Sequence, residues 1–299
     1  MDAGLAAWSC RRPDLAPDNS AVAFVSDQDG SPRVWVRPLD GPARPVDTGP
    51  QAVEDVSWSP DGGRLAVLVA PGGGEHTQVW TVRADGGDLR PLSTPAGGSA
   101  SFVRWTGRGS SLLLAETAAS GLTSAVLVDT VTGAREVVAA GPLLRPAAVS
   151  RDHRTVLLRH GPRGARRMSV SRDGGEERPL PVGTGGSTDD GYLSPEGEIA
   201  YLVTDAGRDR TALVTGSTTG LVAGIATGPV TGSTSVGDMA AVMAERPDAE
   251  LDLFAPALDG RRAVLVWNQT GRSELDVLDL RTGAIDPLPP PPADVVSAV

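Results

Sequence analysis

The chain has no lysine: all 27 of its basic residues are arginine, set against 37 acidic residues for a net charge of −10 over 299 residues. That balance excludes an electrostatic grip on nucleic acid or on an anionic membrane, since either requires clustered cations. The missing lysine, together with the excess of Ala, Gly and Pro, reads as a codon-composition signature without functional weight. A single cysteine, Cys10, rules out an internal disulfide framework and suits a reducing, cytoplasmic setting. No stretch reaches the roughly 18 apolar residues of a membrane span, and "MDAGLAAWSC" lacks the basic start and apolar length of a signal peptide. Aromatics make up only 4% and histidines number three, so chemistry built on imidazole has few places to sit.

What the chain has in abundance is turn formers. With 37 Gly and 25 Pro beside an ordinary hydrophobic fraction of 40%, the composition points to many short strands and tight turns, an all-β protein rather than a disordered one. A chain of this length buries about 75% of the surface its unfolded form exposes, so a large core needs no staples.

Self-comparison shows a repeat. Residues 53–95 run as apolar segment, S-P-D-G turn, apolar segment, loop, apolar segment, D-G-G turn and short strand. The first turn recurs as "LAPDN" ending at Asn19, "WSPDG" at Gly62, "WTGRG" at Gly109, "VSRDH" at His153, "LSPEG" at Gly197 and "PALDG" at Gly260, at intervals of 43, 47, 44, 44 and 63. The long last interval places an insertion in the Gly- and Thr-rich stretch Thr215 to Gly237. A second turn follows in register at Gly41, Gly86, Gly133, Gly174 and Gly283, each after a third strand such as "RVWV" or "QVWTV". Trp35 and Trp80 fall at one repeat position and Trp58 and Trp105 at another, which explains them as packing.

A period of this length signals a propeller or a solenoid. In "RLAVLVA" both alternating faces, Leu65/Val67/Val69 and Ala66/Leu68/Ala70, are apolar, so the sheet is covered on both sides. Four-stranded antiparallel sheets stacked face to face around an axis meet that requirement, whereas a sandwich leaves one face polar. The reading is a single all-β propeller with blades at 12–50, 51–96, 97–141, 142–183, 184–246 and 247–290. The tail 291–299, "PPADVVSAV", matches the opening strand of a repeat and is expected to start a further blade.

The S-P-D-G turn at Ser59 to Gly62 resembles the hallmark of TolB-type propellers. The segments "FVSDQDGSPRVWV" (Phe24 to Val36) and Glu245 to Gly283 resemble the N-terminal propeller of prolyl-oligopeptidase-type serine peptidases, the acylaminoacyl-peptidase branch in particular. The resemblance implies a substrate-gating propeller, usually of seven blades, followed by an α/β-hydrolase domain with a Ser-Asp-His triad. It implies a peptide substrate or protein partner and no cofactor. The sequence departs from that pattern: it stops inside the expected seventh blade, and no G-x-S-x-G elbow occurs, since "GGSAS", "GGSTD" and "GRSEL" all lack the final glycine. The alternative is a stand-alone TolB-type module that binds a protein or peptide.

Candidate chemistry is sparse. His76 lies in a hairpin loop, His153 in a turn and His160 at the end of an apolar strand, so none reads as catalytic or metal-ligating. "SDQDG" at Ser26 to Gly30 has the acidic spacing of a calcium loop but not its later Glu, and a tight hairpin explains it. Glu176 and Glu177 invite comparison with the glutamate pair that grips the substrate amine in dipeptidyl-peptidase relatives, yet their repeat position is an outer hairpin. The acids on first strands, which line a propeller's central channel, are the better candidates: Glu54 and Asp55 in one copy, Glu250 and Asp252 in another. There they would form an acidic mouth that attracts peptide amines.

Overall fold

Each sheet of the molecule opens with the same hairpin, and the hairpin is closed by one residue in the left-handed region. The structure, a computed structural model, describes residues 8–94, 97–107, 109–219, 240–292 and 294–296. It is an all-β, six-bladed propeller of four-stranded antiparallel meanders. The chain divides into two compact units, Met1–Pro142 and Leu143–Val299, of three blades each.

In the first unit, blade 1 is β1 (Cys10–Leu15), β2 (Ala21–Ser26), β3 (Arg33–Pro38) and β4 (Arg44–Pro45). Blade 2 is β5 (Ala52–Trp58), β6 (Arg64–Ala70), β7 (Gln78–Arg83) and β8 (Arg90–Pro91). Blade 3 is β9 (Ser99–Trp105), β10 (Ser111–Thr117), β11 (Leu122–Asp129) and β12 (Arg135–Pro142). In the second unit, blade 4 is β13 (Leu144–Val149), β14 (Thr155–His160), β15 (Arg167–Arg172) and β16 (Arg178–Pro179). Blade 5 is β17 (Thr188–Leu193), β18 (Ile199–Thr204), β19 (Ala212–Ser217) and β20 (Ala240–Ala244). Blade 6 is β21 (Glu250–Pro256), β22 (Arg262–Gln269), β23 (Arg272–Asp279) and β24 (Ile285–Pro287).

The turn between first and second strands is the same device six times. Asn19, Gly62, Gly109, His153, Gly197 and Gly260 have φ of +60°, +70°, +69°, +64°, +73° and +68°. The N–H of each bonds the carbonyl three residues earlier, as in Gly62 to Ser59 at 2.8 Å and His153 to Ser150 at 3.0 Å. Glycine takes this conformation without steric cost and Asn at a small one; His153 is the outlier. The serine of the motif has its own task. Ser59 Oγ donates to Asp61 Oδ1 at 2.6 Å and accepts the Arg64 N–H at 2.9 Å, and Ser150 repeats this with Asp152 and Thr155.

Second strands are covered on both faces, as their apolar alternation requires. On β6, Leu65, Val67 and Val69 pack into a cluster with Val25, Val34 and Val36 of blade 1, while Ala66 packs with Leu112 and Leu114 of blade 3. On β18, Ala200 and Leu202 face Leu157 of blade 4, and Tyr201 and Val203 face Phe254 and Leu265 of blade 6. Each fully buried Leu or Val stabilises the fold by about 1.5–3 kcal/mol. Trp35 and Trp80 sit opposite Pro45 and Pro91, and Trp58 and Trp105 opposite Leu65 and Leu112, so both repeat positions are structural equivalents.

Two features of the repeat reading fall partly outside the described residues. Of the insertion assigned to Thr215 to Gly237, Thr215–Ser217 complete β19, and 220–239 lie outside the described residues. In the tail, Asp294 to Val296 form no strand. The Asp294 carbonyl accepts the Ser273 N–H at 2.7 Å and the Val296 N–H donates to Ser273 Oγ at 2.9 Å. The three-residue β24 leaves that end of β23 open, and the tail takes the bond. Ala293 and residues 297–299 lie outside the described residues.

Successive turns also stack. A Cβ on Gly197 would lie 2.6 Å from Ser150 Cβ in the turn of blade 4, and one on Gly260 would lie 2.6 Å from Pro195 Cγ in the turn of blade 5. Gly174 has a similar φ of +67° but open space around it. Gly174→Ala is therefore expected to cost only the left-handed penalty, about 1–2 kcal/mol. Gly197→Ala is expected to lose roughly 1–3 kcal/mol more from the clash, read as the difference between the two in urea denaturation. Equal losses would show that the turns do not bear on one another.

Candidate functional site

First strands occupy the inner side of each unit: β1 packs on β5 and β13 on β17, whereas the fourth strands β4, β8 and β16 are two-residue outer bridges. Every first strand carries a bulge. Arg12 and Pro13 together oppose Phe24 on β1, and the extra residue is Glu54 on β5, Val103 on β9, Ala147 on β13, Asp189 on β17 and Asp252 on β21. A bulge re-aims the side chains around it, so simple alternation does not decide which of them turn inward.

In the first unit, Glu54 and Asp55 come together with three charged residues of β1. Arg11 Nη2 lies 3.4 Å from Glu54 Oε2 and 3.4 Å from the Val53 carbonyl, and Arg12 Nε lies 3.9 Å from Asp55 Oδ2. Asp14 Oδ2 accepts the Trp58 N–H at 2.6 Å and so ties blade 1 to blade 2. Burial pushes the Asp14 carboxyl above the ordinary carboxylate range, opposed by hydrogen bonds from Trp58 and Ser57. Asp55 is also raised by burial, with Arg12 and the Val56 N–H pulling it down and Asp14 adding to the rise.

The second unit holds the other two acids. Glu250 Oε2 accepts the Thr211 N–H at 2.6 Å and its Oε1 lies 3.5 Å from Arg210 Nη1. Asp252, the bulged residue, is exposed and makes no hydrogen bond or ion pair among the described residues. Three of the four acids are thus matched by arginines that the sequence reading did not connect to them. The only available signal was indirect: Arg11 and Glu54 are 43 residues apart, one repeat length. Exposed pairs of this kind are worth about 0–1 kcal/mol each, so a ligand's charged groups displace them at little cost.

Among the described residues, His160 meets a serine and a carboxylate, but not in the order of a hydrolytic triad. His160 Nε2 lies 3.0 Å from Ser169 Oγ and 2.9 Å from Glu177 Oε2, and Ser169 Oγ donates to the same carboxylate at 2.8 Å. Serine and carboxylate meet one ring nitrogen, whereas a triad needs them on opposite nitrogens. Glu177 belongs to this cluster, between β15 and β16. "SDQDG" is a hairpin closed by the Gly30 N–H to the Asp27 carbonyl at 2.8 Å. Among the described residues no group of three or more His, Cys, Asp or Glu side chains is arranged to hold a metal, and no helix is long and apolar enough to cross a membrane.

No family model and no curated protein matches the chain. Solved structures do. A prolyl endopeptidase aligns with a TM-score of 0.67 at 17% identity, over 94% of this chain and 42% of its own. An oligogalacturonate lyase in complex with manganese gives 0.71 at 17%, over 95% and 78%. The β-propeller domain of the Trilobed protease from Pyrococcus furiosus gives 0.64 at 12%, over 97% and 84%. The chain spans about two fifths of the prolyl endopeptidase it matches. At these identities the likeness shows the fold alone, a β-propeller. It does not single out the acylaminoacyl-peptidase branch that the sequence suggested, since TolB and prolyl-oligopeptidase structures match alongside it.

Asp14 yields a test with a definite sign. A carboxyl raised in the folded state binds its proton more tightly there than in the unfolded chain, so its contribution is full below the ordinary value of 3.8 and is lost as pH rises through the folded value. Asp14→Asn keeps an acceptor for the Trp58 N–H without a charge. The stability of the wild type relative to Asp14→Asn is therefore expected to fall as pH rises from 3.8 and then level off. Asp14→Ala orphans the donor and is expected to cost about 1–3 kcal/mol at neutral pH. A wild-type advantage over Asp14→Asn that grows with pH would contradict this.

Proposed function

We propose that this chain is the non-catalytic, substrate-gating propeller of a prolyl-oligopeptidase-type serine peptidase, acting on peptides in the cytoplasm with its chemistry supplied by an α/β-hydrolase domain. The observation that supports this most is the near end-to-end match to a protein described as the propeller domain of a protease, over 97% of this chain and 84% of that one. Blades buried on both faces make a stiff frame, and a stiff frame with inner first strands admits extended chains while rejecting folded ones. The charged inner strands suit a peptide, whose two termini carry opposite charges and whose backbone offers donors and acceptors. No G-x-S-x-G elbow is present, and the Ser169–His160–Glu177 cluster has the wrong order for acyl transfer.

A second reading, a stand-alone TolB-type module that binds a protein partner, draws on matches that cover 80% of one TolB structure and 62% of another. The manganese of the lyase match finds no fitting donor set among the described residues.

The purified chain is expected to bind short unstructured peptides in calorimetry and to leave acylated and aminoacyl p-nitroanilides intact. Turnover that disappears in His160→Ala would overturn the non-catalytic assignment. Retention of a folded partner with no peptide binding would favour the stand-alone module. The coding sequence after Val299 is expected to run on to a G-x-S-x-G elbow.

A further inference from the structure

Two residues before the bulge, the first strand meets the second in a directly opposed pair. The pair is Cys10/Ser26 in blade 1, Ala52/Ala70 in blade 2, Ser101/Ala115 in blade 3 and Glu250/Asn268 in blade 6. In blade 4 it is Arg145/Arg159, two like charges facing each other. Directly opposed residues of an antiparallel pair share a face, and like charges there destabilise the sheet.

That face looks onto blade 5. Leu157, two residues along from Arg159, packs with Leu202 and Val214, and a Cβ on Gly191 of β17 would lie 2.7 Å from Leu157 Cδ2. The arginine pair therefore meets β17 at its bulge. Arg159 Nη1 donates to the Asp189 carbonyl at 2.5 Å, and Arg166, from the loop between β14 and β15, lies 3.2 Å from Asp189 Oδ1. Asp189 Oδ1 also accepts from Ser187 Oγ at 2.7 Å, and Asp190 Oδ1 accepts the Gly191 N–H at 2.8 Å. Arg145 makes no hydrogen bond among the described residues and its side chain is exposed. Although its surface is exposed, crowding by protein lowers the proton affinity of Arg145, which Asp190 raises and Arg166 lowers; Arg159 is lowered by desolvation and by Arg166 and Arg145, against Asp190 and Asp189.

We propose that Arg145, Arg159 and Arg166 form a receptor for one carboxylate of an extended peptide, held between the first strands of blades 4 and 5. Three guanidiniums stand beside two carboxylates, Asp189 and Asp190, the latter also engaged elsewhere, which leaves a positive excess for an anion to offset. A dianion would press its second charge against the aspartate oxygens. A carboxylate also matches the planar fork of a guanidinium, and a bridging anion turns the Arg145/Arg159 opposition into attraction. The inference rests on the peptide-binding reading above and names the end of the peptide that the site holds.

Calorimetry at low ionic strength with three N-acetylated short peptides of Gly, Ser and Ala tests it: a free acid, its C-terminal amide, and an amide containing one Glu. The free acid or the Glu peptide is expected to bind the wild type at least about tenfold more tightly than the plain amide, and to lose that margin in Arg145→Gln. Whichever of the two loses it identifies an α-carboxylate or an acidic side chain as the ligand. Without ligand, Arg145→Gln is expected to melt at or above the wild-type temperature, because it removes a repulsion; a purely structural arginine would lower it. Peptides that bind wild type and Arg145→Gln alike would overturn the receptor and leave the peptide-binding reading standing. Sulfate competing as well as acetate would reduce the site to an adventitious ion only and overturn it too. No binding of any peptide would overturn the reading on which the inference rests.

Discussion

One left-handed residue per blade, at the joint between the inner strand and the next, is the constraint from which the other features follow. It turns the chain tightly enough that the second strand lies directly against the first. The absence of a side chain at Gly197 and Gly260 lets each of these turns sit on the turn of the blade before it. With the turns stacked, the second strands come into register face to face, and strands such as β6 are buried on both sides. Serine adds a second hold, because Ser59 and Ser150 bond across the turn to the backbone that follows.

Blades built in this way leave their first strands as the place where sequence varies without loss of fold. Bulges there turn Glu54, Asp189 and Asp252 out of strict alternation. Arginines then settle the charge locally, Arg11 on Glu54 and Arg166 on Asp189. Blade 4 is the exception, since its inner pair is Arg145 against Arg159 and the compensation comes from the neighbouring blade.

The repeat made the fold legible. A turn signature at near-constant spacing and apolar residues on both strand faces are local properties, and each survives in Asn19 and His153 where the glycine does not. The insertion was legible only as an excess of length. The site was harder to read, for two physical reasons. A bulge has no composition of its own, so Glu54 and Asp55 could be placed on an inner strand but not oriented. Ion pairs between blades join residues such as Arg166 and Asp189, 23 positions apart, or Arg11 and Glu54, 43 apart, and Arg145 and Arg159, fourteen positions apart in the chain, become opposed only once the register of β13 on β14 is known. The tail "ADVVSAV" has the pattern of a first strand; of it, Asp294 and Val296 bond Ser273 at the open end of β23, and Ala293 and residues 297–299 lie outside the described residues.

The central claim is that recognition takes place on the inner first strands and not on the outer edges. Hydrogen–deuterium exchange of the chain with and without a short free-acid peptide tests it most directly. Added protection should fall on the β13–β14 and β17 segments, with β4, β8, β16 and the long outer strand β12 unchanged. Protection confined to β12 or another outer strand, with β13 and β17 unaffected, would contradict it.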